Sequence, residues 1–296
     1  MEHVRWLADQ SPTSPSLRSP TLVYAFTGWN DAGDAASMAL RTMIEQWGAA
    51  AMAEIDPEPF TDFATVRPHV RLNDGKRSIV WPTVGIWSAS LPGGDVLLVL
   101  GPEPALQWRL FCEQLVGIAE RYQARMSISL GALLADVPHS RPVQIIGTAS
   151  DPDLIDRFDL QRSRYEGPTG IVGVLHDALS TAGLGAASLW AAVPGYAAQV
   201  PSAKAALALL ERACAVMAAS PPAGALAGAA REYDARVAAV IADDEDLMDY
   251  VTRLESMLDD DEGDSDGDSD EVAELDVDDA DALVEEVERF LRERDS

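Results

Sequence analysis

The stretch Leu22-Val23-Tyr24-Ala25-Phe26-Thr27-Gly28-Trp29-Asn30-Asp31-Ala32-Gly33-Asp34-Ala35-Ala36 decides how the chain is read. An apolar run ends in a polar turn bracketed by two glycines. Directly behind it, Ala36, Leu40, Met43, Ile44 and Trp47 recur at helical spacing and fall on one stripe. Strand, polar turn and helix in that order open an α/β unit, and ligands usually enter open α/β sheets at the carboxyl ends of the strands.

The same alternation continues along the chain. Strand-like runs occupy 51–55, 77–81, 83–89, 96–100, 126–130, 143–148 and 187–193, while 106–122, 169–181 and 202–218 carry helical periodicity. Strands that are apolar on both faces and alternate with helices predict a largely parallel sheet covered on both sides. Leu91-Pro92-Gly93-Gly94 reads as a turn within an antiparallel excursion, and Ser220-Pro221-Pro222 opens a hinge. Beyond the hinge, Tyr233, Val237, Ile241, Met248, Val251, Leu254 and Leu258 keep three- and four-residue spacings that predict one or two further helices.

Composition sets the outer limits. The 296 residues carry a net charge of −27, but 25 acidic and 4 basic residues lie in 242–296, so the body is only mildly acidic. The predicted organisation is an irregular segment 1–20, an α/β domain with a helical C-terminal portion over 21–258, an acidic disordered linker 259–278 and an amphipathic helix 279–296. Clustered Lys and Arg are lacking, which argues against nucleic acid and anionic membranes as partners. With no long apolar run and no apolar signal core, the expected location is cytoplasmic. Cys112 and Cys214 are isolated and read as buried thiols.

Motifs for chemistry are sparse: there is no Gly-x-Ser-x-Gly elbow, Walker loop or dinucleotide fingerprint, and His3, His69, His139 and His176 are scattered. His176 and His139 read as satisfied or solvent-facing. No metal and no cofactor is called for. The acidic run around Gly267 lacks the Glu that a calcium loop needs at position 12, where Ala273 stands.

The candidates for ligand or partner contact lie in the strand-end loops: Trp29, Asn30, Asp31, Asp34, Glu103, Asp136, Tyr165, Glu166 and Thr169. If the loops converge, their carboxylates line an acidic cleft. A bare phosphate does not suit it. A helix N-terminus favours an anion by about 0.3–1 kcal/mol, whereas two like charges ~4 Å apart repel by ~4 kcal/mol at an effective dielectric of ~20. The plainer reading has Asn30 or Asp31 capping the first helix, with Asp34 in its first turn, and Thr169 capping the helix through Val172, Leu175 and Leu179. Glu166 either contacts a ligand or pairs with Arg162 or Arg164.

Taken in order, Gly28 to Ala36, Gly101-Pro102-Glu103-Pro104, Leu130 to Pro138, Arg164 to Gly170 and Pro201 to Ala205 resemble the proteasome assembly chaperone 2 family, in its actinobacterial branch. The resemblance runs from about Leu22 to Leu258. It implies a three-layer α/β/α sandwich with a mostly parallel sheet, similar to nucleoside phosphorylase/hydrolase-like folds, with added C-terminal helices. It also implies self-association and kinship with chaperones that assemble proteasome α-rings. Two departures stand out. Pro194-Gly195-Tyr196 replaces the Pro-His-Tyr frequent in the bacterial branch, and the chain ends Arg294-Asp295-Ser296 without the hydrophobic-Tyr-x tail by which some relatives dock into proteasome pockets.

The expectation is therefore a non-catalytic, chaperone-like interaction protein that forms a homo-oligomer and contacts proteasome subunits or another complex. The alternative is an enzyme or sensor that binds a nucleoside-like or amine ligand in the acidic strand-end cleft.

Overall fold

The structure, a computed structural model, describes residues 1–7, 17–242 and 244–263. The chain divides into two compact units, Met1–Val251 and Thr252–Ser296.

The first unit is built on an eight-stranded sheet. In chain order its strands are β1 (Val4–Trp6), β2 (Thr21–Thr27), β3 (Ala50–Ile55), β6 (Val84–Leu91), β7 (Gly94–Pro102), β8 (Met126–Ala135), β9 (Ile145–Ala149) and β10 (Gly185–Pro194). In space they lie in the order β1-β3-β6-β7-β2-β8-β10-β9. β7, β2, β8 and β10 are parallel neighbours, and β3 shares their direction through antiparallel β6. Only β1, β6 and β9 run the other way, so five of the eight strands point in one direction. β6 and β7 form the expected antiparallel excursion. Two short strands, β4 (His69–Asn73) and β5 (Lys76–Val80), pair only with each other.

The central strand shows why the sheet is covered on both sides. Val23 and Ala25 face α1 (Ala35–Gln46) and α5 (Ala203–Met217), whereas Leu22, Tyr24 and Phe26 face α2 (Trp108–Arg121) and α4 (Ile171–Thr181). All five side chains are completely buried. Alternate residues of a strand point to opposite faces, so a continuous apolar run requires cover on each. Burying each larger side chain contributes about 1.5–3 kcal/mol. On the α2 face, Phe111 meets Phe26 and Phe60 edge-on at 5.7 and 5.4 Å between ring centroids. α6 (Gly224–Ile241) buries Leu226, Tyr233 and Val237, and α3 (Pro152–Phe158) is capped by Asp151, which accepts the Asp153 N–H at 2.9 Å. The three-layer sandwich is the one expected.

Three local expectations change. The N-terminal segment is not wholly irregular, because Val4–Trp6 pairs antiparallel with Ala53–Ile55 of β3; three residues are too few to show a period. Helix α6 begins at Gly224, inside the expected hinge. The acidic run does not begin as a linker at Asp259, because α7 (Glu245–Gly263) continues to Gly263. A formed helix adds residues far more cheaply than it nucleates, so it propagates past its apolar stripe. In the second unit, Ser256 Oγ donates to the Thr252 carbonyl at 3.0 Å. The rest of the linker call, 264–278, and the terminal helix call, 279–296, lie outside the described residues.

Ser202 starts α5, its hydroxyl accepting the Ala205 N–H at 3.2 Å, and it is 1% exposed. Ser202→Ala is expected to cost about 1 kcal/mol, the usual value of a lost cap. Urea unfolding would show this as a lower midpoint at unchanged slope.

Candidate functional site

The loop after β2 turns twice before its helix begins. The Asp31 N–H donates to the Gly28 carbonyl at 3.1 Å and the Asp34 N–H to the Asp31 carbonyl at 3.0 Å. Gly33 and Asp34 are both left-handed, with φ of 57° and 55°. Gly fits that region without strain, and a short Asp side chain tolerates it better than most. Asp31 then reaches forward: its Oδ1 accepts the N–H of Ser37, the third residue of α1, at 3.0 Å. Asp31 does cap the helix, from outside the usual position. Asp34 occupies the N-cap position itself but makes no side-chain cap bond and is exposed.

Asn30 turns the other way. Its Nδ2 donates to Glu103 Oε1 at 2.9 Å, and its carbonyl accepts the Ala132 N–H of β8 at 2.9 Å. The same Glu103 oxygen accepts the N–H of Ile171, the first residue of α4, at 3.0 Å. This corrects the expectation for Thr169. The N-cap is Gly170, without a side chain, and Glu103 satisfies the helix end from the end of β7. The close approach explains the glycine, since a Cβ at position 170 would lie 2.5 Å from Asn30 Oδ1. Finally, the Gly33 carbonyl accepts the Ser202 N–H at 2.7 Å, tying the loop to the start of α5. One loop thus joins β7, β8, α4 and α5.

The polar groups of this hub face inward. Asn30 is 1% and Asp31 6% exposed, and Asn30 Oδ1 and Asp31 Oδ2 have no hydrogen-bond partner among the described residues. Burial pushes the Asp31 carboxyl above the usual range and the charge of Asp34 adds to this, while bonds from Ser37 oppose it.

The other candidates do not join the hub. Trp29 is 70% exposed at the loop tip, and Tyr165 is 52% exposed with its hydroxyl donating to the Pro168 carbonyl at 2.7 Å. Glu166 is exposed, as are Arg162 and Arg164. Asp136 is also exposed and accepts the Tyr250 hydroxyl at 2.6 Å. The five carboxylates therefore do not line one cleft. Oxygens of Asp31 and Glu103 are engaged by backbone N–H groups, while Asp34, Asp136 and Glu166 remain in water, where mutual repulsion is screened.

A second polar cluster was not read from the sequence. Tyr196 Oη accepts the His139 N–H at 2.7 Å and meets His139 Nδ1 at 2.8 Å. Lys204 Nζ donates to the His139 carbonyl at 2.5 Å and to both oxygens of Asp234 at 2.9 and 3.0 Å. Its signals in the sequence were Pro194-Gly195-Tyr196, His139 and the segment Pro201 to Ala205, but nothing joined them to Asp234, which lies 30 residues beyond Lys204. Beside it, a cavity of about 20 Å³ is lined by residues that include His139, Lys204 and Tyr233, enough for about one water. Another, of about 10 Å³, lies among Ile55, Phe60, Pro104 and Phe111. Neither is lined by Asn30, Asp31 or Glu166. Among the described residues no cluster of three or more His, Cys, Asp or Glu is placed to hold a metal, and no helix is long and apolar enough to cross a membrane. Cys112 and Cys214 are buried, which pushes both thiols up to about 12.

Residues 25–241 match the PAC2 family. A PAC2 family protein from Streptomyces avermitilis is 44% identical, with a TM-score of 0.74 over 78% of this chain and 99% of its own. A Mycobacterium tuberculosis proteasome-assembly chaperone homologue, Rv2125, is 40% identical, with a TM-score of 0.71 over 78% of this chain and 99% of its own. Pyrococcus furiosus PbaB, an archaeal proteasome activator, shares the fold at 16% identity, with a TM-score of 0.65 over 81% of this chain and 99% of that one. Among curated proteins none matches the sequence. The four segments that converge on the loop at 28–34, the α/β/α sandwich around them and the match over residues 25–241 together place this chain in the PAC2 family.

Proposed function

We propose that this protein is a cytoplasmic, self-associating interaction protein that binds proteasome α-subunits and assists their assembly, using the strand-end edge of its sheet. The observation that carries this reading is the division of labour at that edge. Polar groups of the loop are engaged within the fold, while large apolar side chains stand in solvent: Trp29 at 70%, Tyr165 at 52%, Leu134 at 50% and Leu106 at 48% exposure. All four belong to segments at the carboxyl ends of β2, β7 and β8 or to the approach to α4. Exposed apolar groups rimmed by charge characterise protein-binding surfaces. Sites for small molecules are concave, on the order of 300–1,000 Å³. The 40% identical relative described as a proteasome-assembly chaperone homologue supplies the partner class.

The test is direct binding of purified chain to purified proteasome α-subunits from the same source, with ring assembly followed on native gels. Binding and faster ring formation are expected. Trp29→Ala is expected to weaken binding about tenfold without altering the melting temperature, as for a central aromatic anchor. If the wild-type chain neither binds the subunits nor changes their assembly rate, the proposed role is wrong.

A further inference from the structure

The cavity beside the second polar cluster lies where three parts of the chain meet. It is lined by His139, Arg141 and Gln144 from the connection between β8 and β9, by Ser202 and Lys204 at the start of α5, and by Tyr233 of α6. Gln144 is exposed and Arg141 half-buried, so the mouth lies on the side of that connection. Inside, Tyr233 packs with Ala197 and Val237 and is 1% exposed, yet its Oη has no hydrogen-bond partner among the described residues. A buried hydroxyl left unbonded is costly, and such an atom lining a cavity points to an occupant. Burial pushes the Tyr233 hydroxyl above its ordinary value of 10, with nearby Ser202 opposing, so at neutral pH it keeps its proton and can donate.

The groups around Tyr233 are donors too. Ser202 Oγ accepts the Ala205 N–H at 3.2 Å, which leaves its own hydrogen to be given elsewhere. The Ser202 N–H is spent on the Gly33 carbonyl, but those of Ala203 and Lys204, the first residues of a 15-residue helix, have no intrahelical acceptor. Such a helix start attracts an anion. Lys204 adds little net charge, because both oxygens of Asp234 hold its ammonium at 2.9 and 3.0 Å. Arg141 therefore supplies the positive charge, and its guanidinium presents N–H donors in the fork that suits a carboxylate. Asp234 itself does not line the cavity.

We propose that this cavity binds a carboxylate group: one oxygen enters and accepts from Tyr233 Oη and Ser202 Oγ, while the other stays at the mouth and accepts from Arg141. The volume of about 20 Å³ admits one atom the size of a water, which fits a single oxygen and excludes a whole tetrahedral oxyanion. None of Trp29, Leu106, Leu134 and Tyr165 lines the cavity, so the site is distinct from the edge proposed above to bind proteasome subunits. An occupant would join the connection between β8 and β9 to the starts of α5 and α6 through bonds that the chain does not make by itself.

Titration of the isotope-labelled full chain with sodium acetate, followed by the amide resonances of Ala203 and Lys204, tests this without proteasome subunits. Sodium methanesulfonate holds the ionic strength constant. The two amides are expected to shift saturably, with a dissociation constant of about 1–10 mM. Tyr233→Phe removes only the unbonded hydroxyl and is expected to weaken binding at least about tenfold without lowering the melting temperature of the unliganded protein. Arg141→Gln is expected to weaken binding as well. Trialanine and its C-terminal amide separate two sources of the same group. Tighter binding of trialanine than of acetate, lost on amidation, identifies the end of a peptide chain; equal or weaker binding identifies a small free acid. No saturable shift up to about 100 mM acetate, an unchanged dissociation constant in Tyr233→Phe, or an equal response to sodium chloride would each overturn the proposal.

Discussion

Glu103→Ala is expected to lower the melting temperature by about 6–12 °C, which for a chain of this size corresponds to about 3 kcal/mol. A single oxygen of Glu103 accepts both Asn30 Nδ2 and the Ile171 N–H, at 2.9 and 3.0 Å. Asn30 is 1% exposed, and its own Oδ1 already lacks a partner, so the truncation would leave its amide with no hydrogen bond. A buried donor left unpaired costs about 1–3 kcal/mol. The α4 terminus would lose an anion in its first turn, a further ~0.3–1 kcal/mol. Glu103→Gln keeps an oxygen in place and is expected to lose only about 1 kcal/mol, since hydrogen bonds to charged acceptors are the stronger ones. Thermal melts of the two variants separate the bond from the charge. Equal melting temperatures for wild type and Glu103→Ala would show that something else holds the loop.

The second large effect concerns Asp31 and depends on pH. Asp31→Ala removes the acceptor of the Ser37 N–H and is expected to cost about 2 kcal/mol at neutral pH. Asp31→Asn should behave differently. Burial raises the folded-state pKa of Asp31 above its unfolded value of 3.8, so the native state holds the proton more tightly. The stability this contributes is fully present below 3.8 and is lost as pH rises through the raised value. Asn keeps an acceptor for Ser37 and carries no charge, so it sheds that loss. The variant is expected to match the wild type at acidic pH and to exceed it progressively toward neutrality. Denaturant unfolding at several pH values checks the sign: a stability difference that shrinks as pH rises would mean the carboxylate is favoured in the fold.

These two residues also show how far the site could be read in advance. Glu103, Ala132, Gly170 and Ser202 come from four of the five segments that carried the family resemblance, and each bonds to or abuts the fifth, the loop at 28–34. Their order along the chain was visible, but their convergence was not. Thr169 fits a local capping rule, yet the acceptor for α4 comes from residue 103, because a backbone N–H bonds to whichever carboxylate the fold brings near. Asp31 was correctly suspected as a cap, since the contact spans only six residues. The cluster of His139, Tyr196, Lys204 and Asp234 could not be anticipated, as it depends on how β10, α5 and α6 lie against one another. The hairpin, by contrast, was legible and missed: Asp74-Gly75 between alternating residues is a strong local turn signal.

By itself, the sequence determined the family, the layered α/β/α fold and the limits of most helices and strands, because apolar periodicity is a local property that burial enforces along each element. It also located the acidic tail and the loop at 28–34. Only the tertiary structure decided which carboxylates face inward and which face water, since that depends on the backbone N–H groups that distant segments bring within bonding distance. For the same reason only the fold could separate the buried hub of Asn30, Asp31 and Glu103 from the exposed edge of Trp29, Asp34 and Glu166 beside it.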